Sequence, residues 1–334
     1  MSPPHVLLVS APFLGHVNPL VALGRRLAAK GLLVTLTTVP RAGLKLWHQH
    51  GDSSAATADV GRGVLRFEHL RGGEVWTPDD PRYRDPNDVA RHLDDVASAA
   101  LRGFIRLQGD AGRPVTFVVA NLFAPWAFHA AAAVGVPAAM LWTQSCTVLS
   151  LYYHYFHSLA AFPAKDAGPA AQVDVPGLPA MAAGDLPAFL HLPEEHIWRQ
   201  MLVSEILGLC EAASWVLVNT FDELEHSAIE ALLAQLPVLP VGPLIEMEHH
   251  GVGDECTAWL DARPPRSVVF VAFGSVVKLS RDEMAEMAAG LASTGRPFLW
   301  SQYMVNHKLY GMQTFFRCAI PQWQCCEIVN RHTH

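Results

Sequence analysis

The sequence predicts an α/β fold: a parallel sheet covered by helices on both faces, followed by a second α/β domain that is cut short. Three observations predict it. Apolar, β-branched runs alternate with segments of helical period from the N-terminus to about residue 300. Those runs are continuously apolar, as strands buried on both faces require. The 334 residues are 51% hydrophobic and only 16% charged, enough apolar material for two domains with substantial cores.

His5 to Ser10, HVLLVS, reads as a buried strand. A turn over 11–16 contains Pro12 and Gly15. Asn18 and Pro19 then predict a helix start, with Asn as the cap and Pro at the first helical position, where its missing N–H would be unpaired anyway. Leu20, Leu23 and Leu27 form one face, and Lys30-Gly31 ends the helix. Leu32 to Thr38 is the second strand of a β-α-β unit. His16 falls in the first loop, at the carboxyl end of the first strand. Open α/β sheets place ligands there, and the helix N-terminus beside it favours negative charge. His16 is either a hydrogen-bonded histidine that supports the turn or a functional imidazole. Neither G-x-G-x-x-G nor the P-loop pattern occurs, which weighs against a nucleotide-linked oxidoreductase.

Residues 39–63 read as a loop with one short helix, and Val64 to Phe67 as a strand. Gly72 to Pro86 reads as a long surface loop. From Asn87, Val89, Leu93, Val96, Ala100, Phe104 and Leu107 recur at the spacing of a long amphipathic helix. Val115 to Ala120 is a strand, Pro125 to Val134 a helix and Pro137 to Trp142 a strand. Gln144 to Phe162 reads as a helix. Its aromatics, Tyr152, Tyr153, Tyr155, Phe156 and Phe162, line an apolar pocket or, more commonly for such a run, belong to the core. Pro163 to Pro193 is irregular, Glu194 to Ala213 a helix, Trp215 to Asn219 a strand and Phe221 to Leu233 a helix.

The proline-rich QLPVLPVGPL and the polar stretch after it mark a domain boundary. The chain divides into an N-terminal domain over 1–244, a linker over 245–266, the start of a second α/β domain over 267–300 and a tail over 301–334. Glu255 to Ala262 suggests a short helix and Ser267 to Phe273 a strand. Gly274-Ser275 makes a tight turn, Ser280 caps a helix to Ser293, and Pro297 to Trp300 begins another strand. Beyond Ser301 no period is sustained, so the tail reads as unpacked, and about 65 residues cannot complete a doubly wound domain.

A formal net charge of −7 with no basic block argues against nucleic acid and anionic membrane as partners. The first apolar run lacks a basic leader, and no run approaches the ~18 residues of a membrane span. Six scattered cysteines suit a reducing compartment, with the cytosol as default. Cys318, Cys325, Cys326, His332 and His334 lack zinc-ligand spacing, so no metal is expected.

Taken together, SAPFLGHVNPL at 10–20, VVANLFAPWAF at 118–128, LWTQSC at 141–146, VLVNTFDELE at 216–225, LPVGPL at 239–244, CTAWLDARPPRSVVFVAFGS at 256–275 and RPFLW at 296–300 resemble a known family. It is the plant small-molecule glycosyltransferases that use UDP-sugars. The resemblance implies two facing Rossmann-like domains of glycosyltransferase B type, the first for the acceptor and the second for the UDP-sugar. It implies a cytoplasmic monomer with no cofactor beyond the UDP-sugar co-substrate, moving a hexose to a small phenolic or carboxylic acceptor. The ester-forming branch resembles the N-terminal motif most closely. His16 matches the family's catalytic base. Asn121 matches the position where an Asp usually holds that imidazole; an amide can orient the ring but brings no charge, so a weaker base is expected. Thr143 matches a residue that hydrogen-bonds the sugar, with a backbone-paired strand-end threonine as the other reading. Gly274 and Ser275 match the donor-side turn near the diphosphate. Phe13, Gly15 and Phe123 match the acceptor side. His129, near a position where many relatives carry Asp, reads as structural or surface.

The chain departs from the family after residue 300: Pro321-Gln322-Trp323-Gln324 echoes only the first piece of the C-terminal signature box. The expectation is therefore either a UDP-glycosyltransferase or a truncated form that binds small aromatic acceptors without transfer.

Overall fold

The computed structural model describes residues 3–11, 14–39, 55–70, 86–163, 167–245, 252–273, 279–306, 309–318 and 327–329. The chain forms two compact units, Met1–Arg41 with Ser53–Ile245, and Ala42–Asp52 with Glu246–His334.

The first unit begins with β1 (His5–Ser10), α1 (Leu14–Ala29), β2 (Leu33–Thr38), β3 (Ala55–Val60) and β4 (Gly63–Glu68). It continues with α2 (Pro86–Asp110), β5 (Phe117–Asn121), α3 (Pro125–Ala133), β6 (Ala138–Trp142) and α4 (Cys146–Phe156). A two-stranded ribbon of β7 (Gln172–Val173) and β8 (Met181–Ala182) and two short 3-10 turns follow. Then come α5 (Ile197–Ala212), β9 (Trp215–Val218), α6 (Asp222–Leu233) and β10 (Val238–Pro240). The sheet order is β10-β9-β6-β5-β1-β2-β4-β3, with every strand parallel to its neighbours except β3. All six residues of β1 and all five of β6 are buried, which is why these runs carry no polar alternation.

The chain winds outward from β1 through β2 to β4, then crosses back to build β5, β6, β9 and β10 on the other side. The reversal falls between β1 and β5. Crevices form at such switch points, beyond the carboxyl ends of the strands.

Within the first unit, α1, β3 and β10 differ from the sequence expectation. The helix α1 starts at Leu14, so Pro19 lies inside it and Asn18 is not its cap. The ring leaves the Gly15 carbonyl without its helical donor, but Gly15 is exposed in the first turn of the helix, where solvent can reach it. The strand β3 replaces the expected loop. It pairs with β4 through the Gly61-Arg62 turn, where Gly61 has φ +58 and a Cβ would lie 2.8 Å from the Ala29 Cα. The short β10 lies in the proline-rich stretch; as an edge strand it tolerates Pro240.

The second unit holds α7 (Val252–Asp261), β11 (Val269–Ala272), α8 (Arg281–Ser293), β12 (Phe298–Asn306), β13 (Leu309–Cys318) and β14 (Glu327–Val329). Ser280 caps α8 in a reciprocal box with Glu283: the Glu283 N–H reaches the Ser280 hydroxyl at 3.2 Å, and the Ser280 N–H reaches the Glu283 carboxylate at 2.7 Å. β11 and β12 are parallel, and β12, β13 and β14 are antiparallel. The backbone thus continues as strands after Trp300, where the sequence reads as an unpacked tail. Antiparallel neighbours need no crossover helix, so loss of the β-α rhythm does not end the sheet.

Candidate active site

The switch point places the end of β1 and the first turn of α1 beside the end of β5 and the turn 122–124. Asn121, the last residue of β5, is fully buried and bridges the two. Its Oδ1 accepts the Ala11 N–H at 3.2 Å. Its Nδ2 donates to the His16 carbonyl at 2.7 Å and lies 3.4 Å from the Ser10 hydroxyl. The amide therefore holds the main chain of His16, not its imidazole, which corrects the expectation that residue 121 orients the ring. One end must accept and the other donate, and an amide does both.

His16 stands in the first turn of α1 rather than in a loop. Burial drives its pKa down to about 4, partly offset by a hydrogen bond from the ring to the Leu122 carbonyl. The imidazole is therefore neutral throughout the physiological range. Phe123 follows with φ 65, a left-handed conformation uncommon for an aromatic residue. This turns its ring to 5.7 Å from the imidazole, tilted by 51°. The Phe123 ring in turn meets Trp198 edge-on at 5.1 Å and Phe189 at 6.1 Å. One side of the imidazole is thus aromatic. Gly15 is exposed one residue away, and among the described residues a side chain there would meet open space.

The turn is pinned from outside. The carboxyl of Glu205, on α5, accepts the Phe123 N–H at 3.0 Å and the Ala124 N–H at 3.1 Å. Burial pushes its pKa up to about 8, against the pull of those two donors. The next strand end repeats the device. Thr143 is half-buried just beyond β6, and Ser145 caps α4 by accepting the Val148 N–H at 3.2 Å. The Glu225 carboxylate accepts the N–H groups of Cys146 and Thr147, both at 2.9 Å.

Of the other candidates, Phe13, Gly274 and Ser275 lie outside the described residues. His129 is exposed on α3. Tyr152 and Tyr153 are core residues, with Tyr155, Phe156 and Phe162 packed against that core. Sequence reasoning missed Glu205, Trp198 and Phe189. Glu205 did carry a signal: it sits beside Ile206 and three residues after Leu202, both of them apolar and buried. Among the described residues no three His, Cys, Asp or Glu side chains group as metal ligands, and no helix is long and apolar enough to cross a membrane.

No family model matches the chain. Curated relatives do. Gallate 1-beta-glucosyltransferase of Quercus robur is 38% identical over 304 residues, covering 89% of this chain and 59% of its own length. Limonoid UDP-glucosyltransferase of Citrus unshiu is 38% identical over 308 residues, with the same coverage. Cinnamate beta-D-glucosyltransferase of Fragaria ananassa is 35% identical over 305 residues, covering 89% and 54%. Among solved structures, Os79 from O. sativa in complex with U2F and trichothecene matches with a TM-score of 0.70 and 28% identity, covering 91% of this chain and 68% of that one. The chain spans about 59% of the length of the Quercus robur relative. Similarity is sustained across nine-tenths of its residues, and across the sheet that carries the site, so the chain is similar to the plant UDP-glycosyltransferases.

Proposed function

We propose that the protein transfers a hexose from a UDP-sugar to a small phenolic or carboxylic acceptor, with His16 as general base. The observation that carries this reading is the neutral His16 imidazole at the switch point, walled by Phe123. A base must be unprotonated to accept the acceptor's proton while its oxygen attacks the anomeric carbon and UDP leaves. In this reading Phe13, Gly15 and Phe123 belong to the acceptor side and Thr143, Gly274 and Ser275 to the donor side. Residues 1–244 supply the acceptor domain and 267–300 begin the donor domain. The protein works as a cytoplasmic monomer, without metal.

A base whose pKa is held near 4 is weak. It serves poorly for a phenol of pKa about 10, whereas a carboxylic acid of pKa about 4 is already ionised at neutral pH and needs no base. Relatives named for gallate and cinnamate fit an ester-forming role. The test is kcat/KM for one matched phenol and one matched acid with wild type and His16→Ala. The phenol reaction should fall by ~10²-fold or more, and the acid reaction by much less. Equal losses on both would remove His16 from the role of base.

A second reading confines the 334 residues to acceptor binding. It is favoured by the location of every described member of the aromatic site within the first unit. Calorimetric titration separates the two: saturable acceptor binding with no UDP-glucose binding below millimolar supports it, and micromolar UDP-glucose binding removes it.

A further inference from the structure

We propose that Glu205 is the positioning residue of this site: its buried carboxyl fixes the Leu122–Ala124 turn, which in turn holds the His16 imidazole. The proposal rests on His16 being the base.

The geometry separates this role from ordinary helix capping. A capping side chain takes the N–H of the second or third helical residue. Glu205 takes the N–H groups of Phe123 and Ala124, both of which precede α3. The helix start is already served by Pro125 at its first position and by the Ala127 N–H bonding the Ala124 carbonyl at 2.9 Å. The carboxyl therefore acts on the turn. That turn contributes two groups that meet the imidazole, the Leu122 carbonyl and the Phe123 ring. It also contains the left-handed residue, Phe123. Such a conformation persists only where its surroundings over-determine it, and two hydrogen bonds to adjacent N–H groups do that.

The carboxyl is expensive to keep. It lies on the buried face of α5, and burial disfavours its charged form. A leucine there would pack at less cost but would leave two N–H groups unpaired. A shallow cavity lined by Pro125, Phe128, His129, Met140, Ser204 and Gly208 reaches Glu205 from the side of α3. His129 and Ser204 are polar residues in its lining.

The experiment follows the His16 ring by NMR titration in the 334-residue protein, with its resonance assigned by loss in His16→Gln. In Glu205→Gln only one amide oxygen can accept, so the turn relaxes. The His16 pKa should then rise by a unit or more, from about 4 toward the 6.5 of an unburied imidazole. The dissociation constant for gallate, read by quenching of tryptophan fluorescence, should rise at least fivefold. If Glu205→Gln lowers the melting temperature but leaves the His16 titration and gallate affinity unchanged, Glu205 only stabilises the fold and the proposal fails. A readout on wild type alone covers the case of a variant that does not fold. The Phe123 and Ala124 amides should exchange as slowly as those of β5, and fast exchange at both overturns the clamp. Failure of the base reading itself shows separately, as phenol turnover that survives His16→Ala while the titration still responds to Glu205→Gln.

Discussion

At residue 121 the difference between an amide and a carboxylate is one of geometry before it is one of charge. The Nδ2 group faces the His16 carbonyl at 2.7 Å, and an aspartate would set oxygen against oxygen there. Asn121→Asp should therefore destabilise the protein at pH 7, by ~1–3 kcal/mol for the lost donor, rather than strengthen the base. Urea unfolding checks this: an unchanged midpoint would mean that the side chain can turn toward the ring. The motif around His16 made that residue legible in the sequence, and the match at Asn121 singled that one out as well. What the sequence does not contain is which atoms meet, so the amide's hold on the main chain surfaced only in three dimensions. Two buried groups also tilt stability in opposite directions. The pKa of His16 falls from 6.5 to about 4 on folding, so its contribution is present above pH 6.5 and is lost as pH drops toward 4. The pKa of Glu205 rises from 4.5 to about 8, so its contribution is present below pH 4.5 and is lost as pH climbs toward 8. Each slope is at most ~1.4 kcal/mol per pH unit. Between pH 6.5 and 8 only the Glu205 slope of this pair remains, so wild-type stability should decline there and Glu205→Gln should be flatter. Parallel declines in the two proteins would show that Glu205 does not carry the slope.

At the scale of elements, two successive strand-to-helix turns are held by carboxyl groups that arrive much later in the chain. Glu205 takes the turn after β5, and Glu225 takes the start of α4. Glu225 sits at φ −132, ψ 33 inside α6, a kink that aims its side chain at the two N–H groups and at the Thr147 hydroxyl, 2.8 Å away. Burial works against its charge, yet the donors from Thr147 and Cys146 win and hold its pKa below the usual carboxylate value. Glu225→Ala should cost ~1–3 kcal/mol and speed amide exchange at Cys146 and Thr147. Unchanged exchange would mean that Ser145 alone caps the helix. The central strands β1, β2, β5 and β6 were legible because burial on both faces demands apolar runs, and β9, exposed at Trp215, was legible from its apolar run alone. The edge strands β3 and β10 were not: AATADV and VLP have one neighbour each and need little apolar surface. The start of α1 was misplaced because Asn18-Pro19 imitates a helix start that the chain had already passed at Leu14.

At the scale of the molecule, the described residues of the two units differ in what they bury. The first holds a continuous core from Leu7 through Trp126 and Trp142 to Val238. In the second, the buried apolar side chains among the described residues are Phe298, Leu299 and Trp300, all on β12. Its strand β11 alternates between half-buried and exposed positions, and Phe270 is 64% exposed. Stability grows with the apolar area removed from water, so β11, whose residues alternate between half-buried and exposed, should open at a lower free energy than β1, which is buried along its whole length. This contrast was partly visible in the sequence, whose β-α rhythm fades after Trp300; the antiparallel strands that follow were not, because their pairing lies in backbone geometry rather than in a period. The expected outcome is a two-step unfolding in urea. Amides of β11 and β12 should exchange at denaturant concentrations that leave β1, β5 and β6 protected. A chain ending at Ile245 should retain the second, higher midpoint and should aggregate less, because it lacks the exposed Phe270 and its strand. A single transition, with β11 and β1 losing protection together, would show that the two units unfold as one.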